Sequence, residues 1–200
     1  MGIAAAVFML KVLLLDDTPR RDSALRQALA ALDGVTVSCT IDSAAQLAAR
    51  VAEHQPDLVL IDSDAPRRGL LEHVAALDAL GPRPVVLFTG ERDEEAIRAA
   101  LRAGVCSYIV DGLDPERLAP IMRVAIERFG TERKLRAELA EARARLADRQ
   151  SVERAKGILM KQRGCSEDEA YAALRSLAMQ RGIRIGEAAR QVIDVSSLLG

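Results

Sequence analysis

The sequence predicts an α/β domain built on a doubly wound, five-stranded parallel sheet, followed by a long coiled-coil helix and an all-α bundle of three helices. Three observations carry that expectation. Short runs of Leu, Val and Ile alternate with stretches of helical periodicity over residues 11–110, the pattern of strands covered by helices on both faces. From 115 to 163 the only interruptions are the early Pro120 and two glycines, Gly130 and Gly157. Beyond that run Gly164 acts as a stop, Ser166 with Glu169 makes a capping box that starts another helix, and Gly182 closes it.

Taken in order, KVLLL at residues 11–15 is the first strand and ends at Asp16 and Asp17. Leu25, Ala28, Leu29 and Leu32 mark a helix within 19–32, closed by Gly34. Residues 35–40 are strand-like and 43–52 helical. DLVLI at 57–61 stops at Asp62, and 69–80 is helical. PVVLF at 84–88 ends at Thr89, 94–103 is helical, and 107–110 is the last strand. Asp114 and Pro115 open the long helix, where Leu118, Ile121, Met122, Ala125 and Phe129 are spaced to cover the sheet or a second subunit.

Further along, Leu135, Leu139, Ala142 and Leu146 recur at steps of four, three and four, a narrow apolar seam of coiled-coil type. At ~1.5 Å per residue this helix would span roughly 70 Å, too long for one compact domain. It reads as a rod that joins two units and pairs with a second copy, giving a homodimer. In the tail, Ala170, Leu174, Leu177 and Ala178 line one face of the second bundle helix, and Ala188, Ala189, Val192 and Ile193 point inward from the third.

Composition narrows the function. Aromatic residues make up 2% of the chain and Trp is absent, which argues against an RNA module built on a sheet of stacked rings. Residues 1–130 hold 14 Lys/Arg against 19 Asp/Glu, and residues 131–200 hold 14 against 10. An acidic front and a basic tail point to different partners, with an anion at the tail. Cys39, Cys106 and Cys165 form no metal-ligand spacing with each other or with His54 and His73, and read as reduced thiols in cytosol. The apolar start lacks a basic segment and is cut short by Lys11, so neither a signal peptide nor a membrane span is expected. A cytoplasmic protein follows.

In doubly wound folds ligands bind beyond the carboxyl ends of the strands. Asp16, Asp17, Asp62 and Thr89 all fall there, so three carboxylates should meet on one edge. They would repel and raise one another's pKa unless they shared a hard cation. An all-oxygen set suits Mg²⁺, and a carboxylate beside it can take a phosphoryl group as an acyl phosphate. LLLDD, LVLIDSDAP, VVLFTG and GVCSYIV together resemble the receiver domain of two-component response regulators, a flavodoxin-like fold, over residues 10–127. The resemblance implies Asp62 as phosphoacceptor, Asp16 and Asp17 as metal ligands with the Asp64 carbonyl, and Thr89 and Tyr108 as switch residues. It also implies a sensor histidine kinase as partner. Where the family carries a lysine after the fifth strand this chain has Asp111, an anion that disfavours a phosphorylated state.

The tail of the long helix, SVERAKGILMKQRG, carries Arg154, Lys156, Lys161 and Arg163 against Glu153. Gly157 in mid-helix costs about 1 kcal/mol against Ala, which suggests close approach by a ligand or another backbone. AKGILM, EDEAY, LRSLAM and the closing EAA are similar to the ANTAR module, an RNA-binding antitermination domain, across residues 133–195. With YIVDG the whole chain resembles nitrate-assimilation antiterminators of NasT type, which implies paired leader-RNA hairpins as target and a nitrate- or nitrite-sensing inhibitory partner. The expected organisation is an extension at 1–9, a receiver at 10–127, a coiled-coil linker at 128–150 and the overlapping ANTAR domain.

Arg154, Lys156, Gly157, Lys161, Tyr171 and Arg175 are the expected RNA-binding residues: cations for phosphates, a ring and a guanidinium plane for looped-out bases. Met179 reads as core, and Tyr171 reads equally as core or as an RNA contact. Two other readings stand beside this one. A DNA-binding response regulator would use Arg184, Glu187, Arg190 and Gln191 of the last helix, and a purely dimerising interaction module would bind no nucleic acid. No enzyme activity is expected.

Overall fold

The computed structural model describes residues 9–17, 24–110 and 114–199. The chain divides into two units, Met1–Glu132 and Arg133–Gly200. In the first, β1 (Leu10–Asp16), β2 (Val35–Ile41), β3 (Leu58–Asp62), β4 (Val85–Thr89) and β5 (Ser107–Val110) form one parallel sheet in the order β2-β1-β3-β4-β5. Helices α1 (Ala24–Ala30), α2 (Leu47–His54), α3 (Arg68–Leu80) and α4 (Glu94–Arg102) alternate with the strands. This is the doubly wound arrangement the aliphatic runs predicted.

Strand side chains alternate between two cores. Leu13, Leu15, Val59, Ile61, Val85 and Leu87 pack with α2 and α3 on one face. Val12, Leu14, Leu58, Leu60, Val86 and Phe88 pack on the other against Leu25 and Leu29 of α1 and against Leu118, Met122 and Ala125. These last belong to α5 (Pro115–Arg163), so the start of the long helix covers its own sheet. Full burial of each Leu or Val contributes about 1.5–3 kcal/mol, which is why continuous apolar strands suit this position. Between β1 and β2 the register slips by one residue after Val12, and the Ser38 hydroxyl donates to the Val12 carbonyl (3.2 Å) at that bulge.

Sequence and structure differ in small ways at the element ends. Asp16, Asp62 and Thr89 remain in the strands as their last residues, because a polar side chain does not end a backbone ladder. The helix expected at 43–52 begins as a 3-10 turn at Ala44–Gln46 and continues as α2.

The second unit holds the end of α5, then α6 (Glu167–Arg181) and α7 (Ile185–Leu199). Val152, Ala155, Leu159, Ala170, Leu174 and Ala189 form its core. Gly164, at φ 66, ends α5. Ser166 and Glu169 cap α6 reciprocally. Gly182, also left-handed, closes α6 while Ile183 N–H donates to the Ala178 carbonyl (3.1 Å). Leu135, Leu139 and Leu146 are 60%, 51% and 59% exposed, so the seam has no partner within the described chain. Among the described residues no helix is long and apolar enough to cross a membrane.

Candidate functional site

The carboxyl edge of the sheet gathers the acidic residues as expected. Asp16 pairs in register with Asp62 across β1 and β3, and Asp17 N–H donates to the Asp62 carbonyl at 3.2 Å. The buried Asp16 carboxylate lies 3.7 Å from the Arg26 guanidinium. Asp17 accepts from the buried Ser63 hydroxyl at 2.9 Å. Burial raises the Asp17 pKa above the usual carboxylate value; the nearby charges of Asp64 and Asp16 push the same way, while Ser63 and Arg67 oppose. A cleft of about 550 Å³ opens beside this edge, lined by Asp17, Asp42, Ser63, Asp64 and Arg67 among others.

Thr89 and Tyr108 belong to one hydrogen-bonded chain. The Tyr108 hydroxyl donates to the Glu91 carbonyl (3.1 Å), Glu91 N–H donates to Thr89 Oγ1 (3.1 Å), and that hydroxyl donates to the Asp64 carbonyl (3.1 Å). Burial, seconded by Glu91, raises the Tyr108 pKa, so the ring keeps its donor proton at neutral pH. Three hydrogen bonds thus run from β5 to the loop after Asp62. Asp111 lies outside the described residues.

The donor set fits a hard cation in chemistry: two adjacent carboxylates, Asp17 with its pKa raised chiefly by burial, a third across the strand pair, and a backbone carbonyl. The side chains do not close around a point. Among the described residues no three acidic, His or Cys side chains form a metal-holding group, since Asp16 turns toward Arg26 and Asp17 toward Ser63, while Asp64 is exposed. The expected four-residue set is therefore present as an edge and not as a formed cage.

In the second unit the expected RNA residues separate into three groups. Arg154, Gly157 and Lys161 recur at steps of three and four on the exposed side of α5, opposite the buried Val152, Ala155 and Leu159. Tyr171 and Arg175 are exposed on α6, one residue beyond the buried Ala170 and Leu174. Lys156 differs from both. It is only 9% exposed, and its Nζ lies 2.9 Å from Glu153 and 2.5 Å from Glu167. The bond to Glu167 is the larger cause of its raised pKa and of the lowered pKa of Glu167. The expectation of Lys156 as an open phosphate contact is corrected: its ammonium ties α5 to the start of α6.

Two further expectations change. Met179 is 73% exposed and continues the Tyr171–Arg175 row at the same step of four, so it is not core. Gly157 meets no packing demand within the chain, since a Cβ there finds nothing within 4 Å. Residues not anticipated from sequence are Ser63, Arg67 and Glu91 at the acidic edge, and Glu167 beneath Lys156. Position after the strand-end Asp62 could have flagged Ser63, but the others depend on folded distance.

Residues 12–123 match the response regulator receiver domain and residues 140–193 match the ANTAR domain. The chain is 31% identical over 150 residues to the transcriptional regulatory protein PdtaR of Mycobacterium tuberculosis, covering 74% of this chain and 73% of that protein. It is 32% identical over 83 residues to the nitrate regulatory protein of Klebsiella oxytoca, covering 42% of this chain and 20% of the relative. The receiver domain of the response regulator NarL from Mycobacterium tuberculosis superposes with a TM-score of 0.52 at 21% identity, covering 58% of this chain and 95% of that one. The acidic strand edge, the Thr89–Tyr108 relay and the capped helical tail thus belong to a two-component response regulator, a receiver domain followed by an ANTAR domain.

Proposed function

We propose that the protein is a cytoplasmic RNA-binding antiterminator that engages paired hairpins in a leader mRNA, with nitrate or nitrite assimilation genes as the target. One observation carries the reading: Arg154 and Lys161 stand on the open side of α5 around an exposed glycine, and neither has an ion pair among the described residues. Cations in that state supply phosphate attraction. Tyr171, Arg175 and Met179 offer a row on which unstacked loop bases could lie. The nitrate target draws its support from the Klebsiella relative's name alone.

Two copies pair through Leu135, Leu139, Ala142 and Leu146 in this reading, and pairing brings two RNA faces together. A parallel coil is favoured. On heptad assignment Glu138 falls beside the seam of one helix opposite Arg143 of the other, and neither has an ion pair within the described chain, whereas Glu141 and Arg145 already pair at 2.6 Å.

The receiver at 10–127 decides when the RNA face acts. Asp16, Asp17, Asp62 and the Asp64 carbonyl would hold Mg²⁺, which would neutralise charge on an incoming phosphoryl group. Asp62 would accept that group, with Thr89 and Tyr108 reporting it along their relay. Control comes either from a sensor histidine kinase or from a nitrate- or nitrite-sensing protein that sequesters the chain, and Asp111 favours the second. A small phosphodonor with Mg²⁺ should add one phosphoryl mass that Asp62→Ala abolishes; no gain would leave sequestration as the control.

The deciding experiment compares binding to a two-hairpin leader RNA with binding to duplex DNA of the same operon. Preference for the RNA supports the antiterminator, and preference for the duplex would assign a DNA-binding regulator acting through Arg184, Glu187, Arg190 and Gln191. Binding to neither would leave only a dimerising module.

A further inference from the structure

Position 186 has no room for a side chain. A Cβ built on Gly186 would stand 2.3 Å from Asp148 Cγ, 2.4 Å from its Oδ1 and 2.7 Å from its Cβ. Contacts under 3.0 Å are essentially never seen for real Cβ atoms. Gly186 is not among the glycines with positive φ, so space and not backbone conformation demands glycine here. It lies buried in the first turn of α7, pressed on α5. Asp148 also accepts from Arg190 Nη1 at 2.7 Å, one turn further along α7. A carboxylate on one helix thus fills the gap left by a glycine on another and is held there by an arginine.

We propose that Asp148, Gly186 and Arg190 are positioning residues: they seat α7 on α5, and through α7 they fix the RNA-binding row carried by α6. The role rests on the RNA reading above; the steric seat does not. Helix α6 is held at both ends. Its start is tied to α5 by Lys156 and Glu167, and its end turns through Gly182 into α7, with Arg181 donating to Gln191. Arg175 and Met179 sit in the half of α6 that α7 controls. Lifting α7 from Asp148 therefore displaces the row without removing any residue that touches RNA. Gln162, which donates to the Ser196 hydroxyl at 3.3 Å, adds a further polar tie between α5 and α7.

The test uses the full-length protein, a hairpin RNA, and a blunt RNA duplex with the same stem and no loop. Gly186→Ala should lower hairpin affinity about tenfold while changing duplex affinity by less than about twofold, because base contacts need geometry and phosphate attraction does not. Adding Asp148→Gly should recover most of the loss. Adding Asp148→Ala should not, since the Asp148 Cβ alone lies at 2.7 Å. Arg190→Met, which introduces no clash, should shift the hairpin-to-duplex ratio in the same direction by a smaller factor, and it serves if Gly186→Ala fails to fold. Wild-type hairpin affinity in Gly186→Ala overturns the proposal. So does an equal loss on hairpin and duplex, or rescue by alanine as effective as rescue by glycine. If wild-type protein ignores the hairpin, the RNA reading and the positioning role fall together. The seat is then judged by Tm, which must drop in Gly186→Ala and recover only with Asp148→Gly.

Discussion

Neutralising Lys161 and neutralising Lys156 should weaken RNA binding in two distinguishable ways. The Lys161 side chain is exposed on α5 with no ion pair among the described residues, so a phosphate it holds replaces counterions. Each such contact contributes about 0.7 to the slope of log affinity against log salt on single-stranded nucleic acid. Between roughly 50 and 200 mM salt, a fourfold range, one contact is therefore worth a factor of about 2.6. The affinity advantage of wild type over Lys161→Ala should shrink by that factor across the range. Lys156 is already neutralised by Glu153 and Glu167, so Lys156→Met should leave the slope unchanged. Its effect should be a lower Tm for the bundle and a drop in affinity from a loosened α6, because α5 and the start of α6 lose their tie. Fluorescence anisotropy on a labelled hairpin at four or more salt concentrations reads both. A slope reduced by Lys156→Met as much as by Lys161→Ala would refute the assignment of Lys156 to the interior.

Gly157→Ala should stabilise α5 by up to about 1 kcal/mol, since the added methyl meets nothing and helix propensity improves. RNA affinity should fall at the same time, and unchanged affinity in titration would remove Gly157 from the RNA face. Leu139→Glu should convert dimer to monomer in sedimentation equilibrium. Glu138→Lys should weaken the dimer as well, with recovery when Arg143→Glu is added in the same chain; recovery failing to appear would argue against the parallel register. Bundle stability should fall below pH 4.5, the ordinary glutamate value. The folded-state pKa values of Glu167, lowered by Lys156, and of Glu169, lowered by the Ser166 backbone, lie beneath it. Their contribution is present above the unfolded pKa and lost as pH drops through the folded one. Thermal melts from pH 7 to pH 3 should show a shallower acid limb in Lys156→Met, and an identical limb would contradict the pairing.

Legibility followed the chemistry of the stops. Helix α5 begins and ends where the sequence places it because Asp114, Pro115 and Gly164 are signals in themselves. The acidic edge was legible because strand order in a parallel sheet brings every carboxyl end to one side. Reading Lys156 by residue type alone hid its role. Its spacing from Val152, Ala155 and Leu159 already put it on the buried face, and Glu167 reaches it across a turn that periodicity does not describe. Met179 erred in the opposite sense, since it falls one residue beyond the buried Ala178 and so rotates outward with Tyr171 and Arg175. Nothing in the letters distinguishes Gly186 from an ordinary first-turn glycine; its necessity exists only once Asp148 is packed against it.

The charge layout of the bundle explains why such a protein should carry a rod. Glu167, Asp168 and Glu169 open α6 with three consecutive anions, which repel phosphates from that end. Lys156, the cation nearest to them, is consumed in tying the helix down. The open cations left at that end of α5 are then Arg154, Lys161 and Arg163, and three phosphate contacts amount to a salt slope of only about 2.1. One bundle alone would grip RNA weakly. On the proposed reading, pairing through the leucine seam would make the second hairpin's capture intramolecular, which can raise overall affinity by about 10²–10⁴ without any new contact. A receiver that shifts pairing or access along α5 would then control RNA binding without touching the RNA face. The same physics sets the outcome that would sink this view: a monomeric Leu139→Glu variant that holds a two-hairpin leader as tightly as wild type.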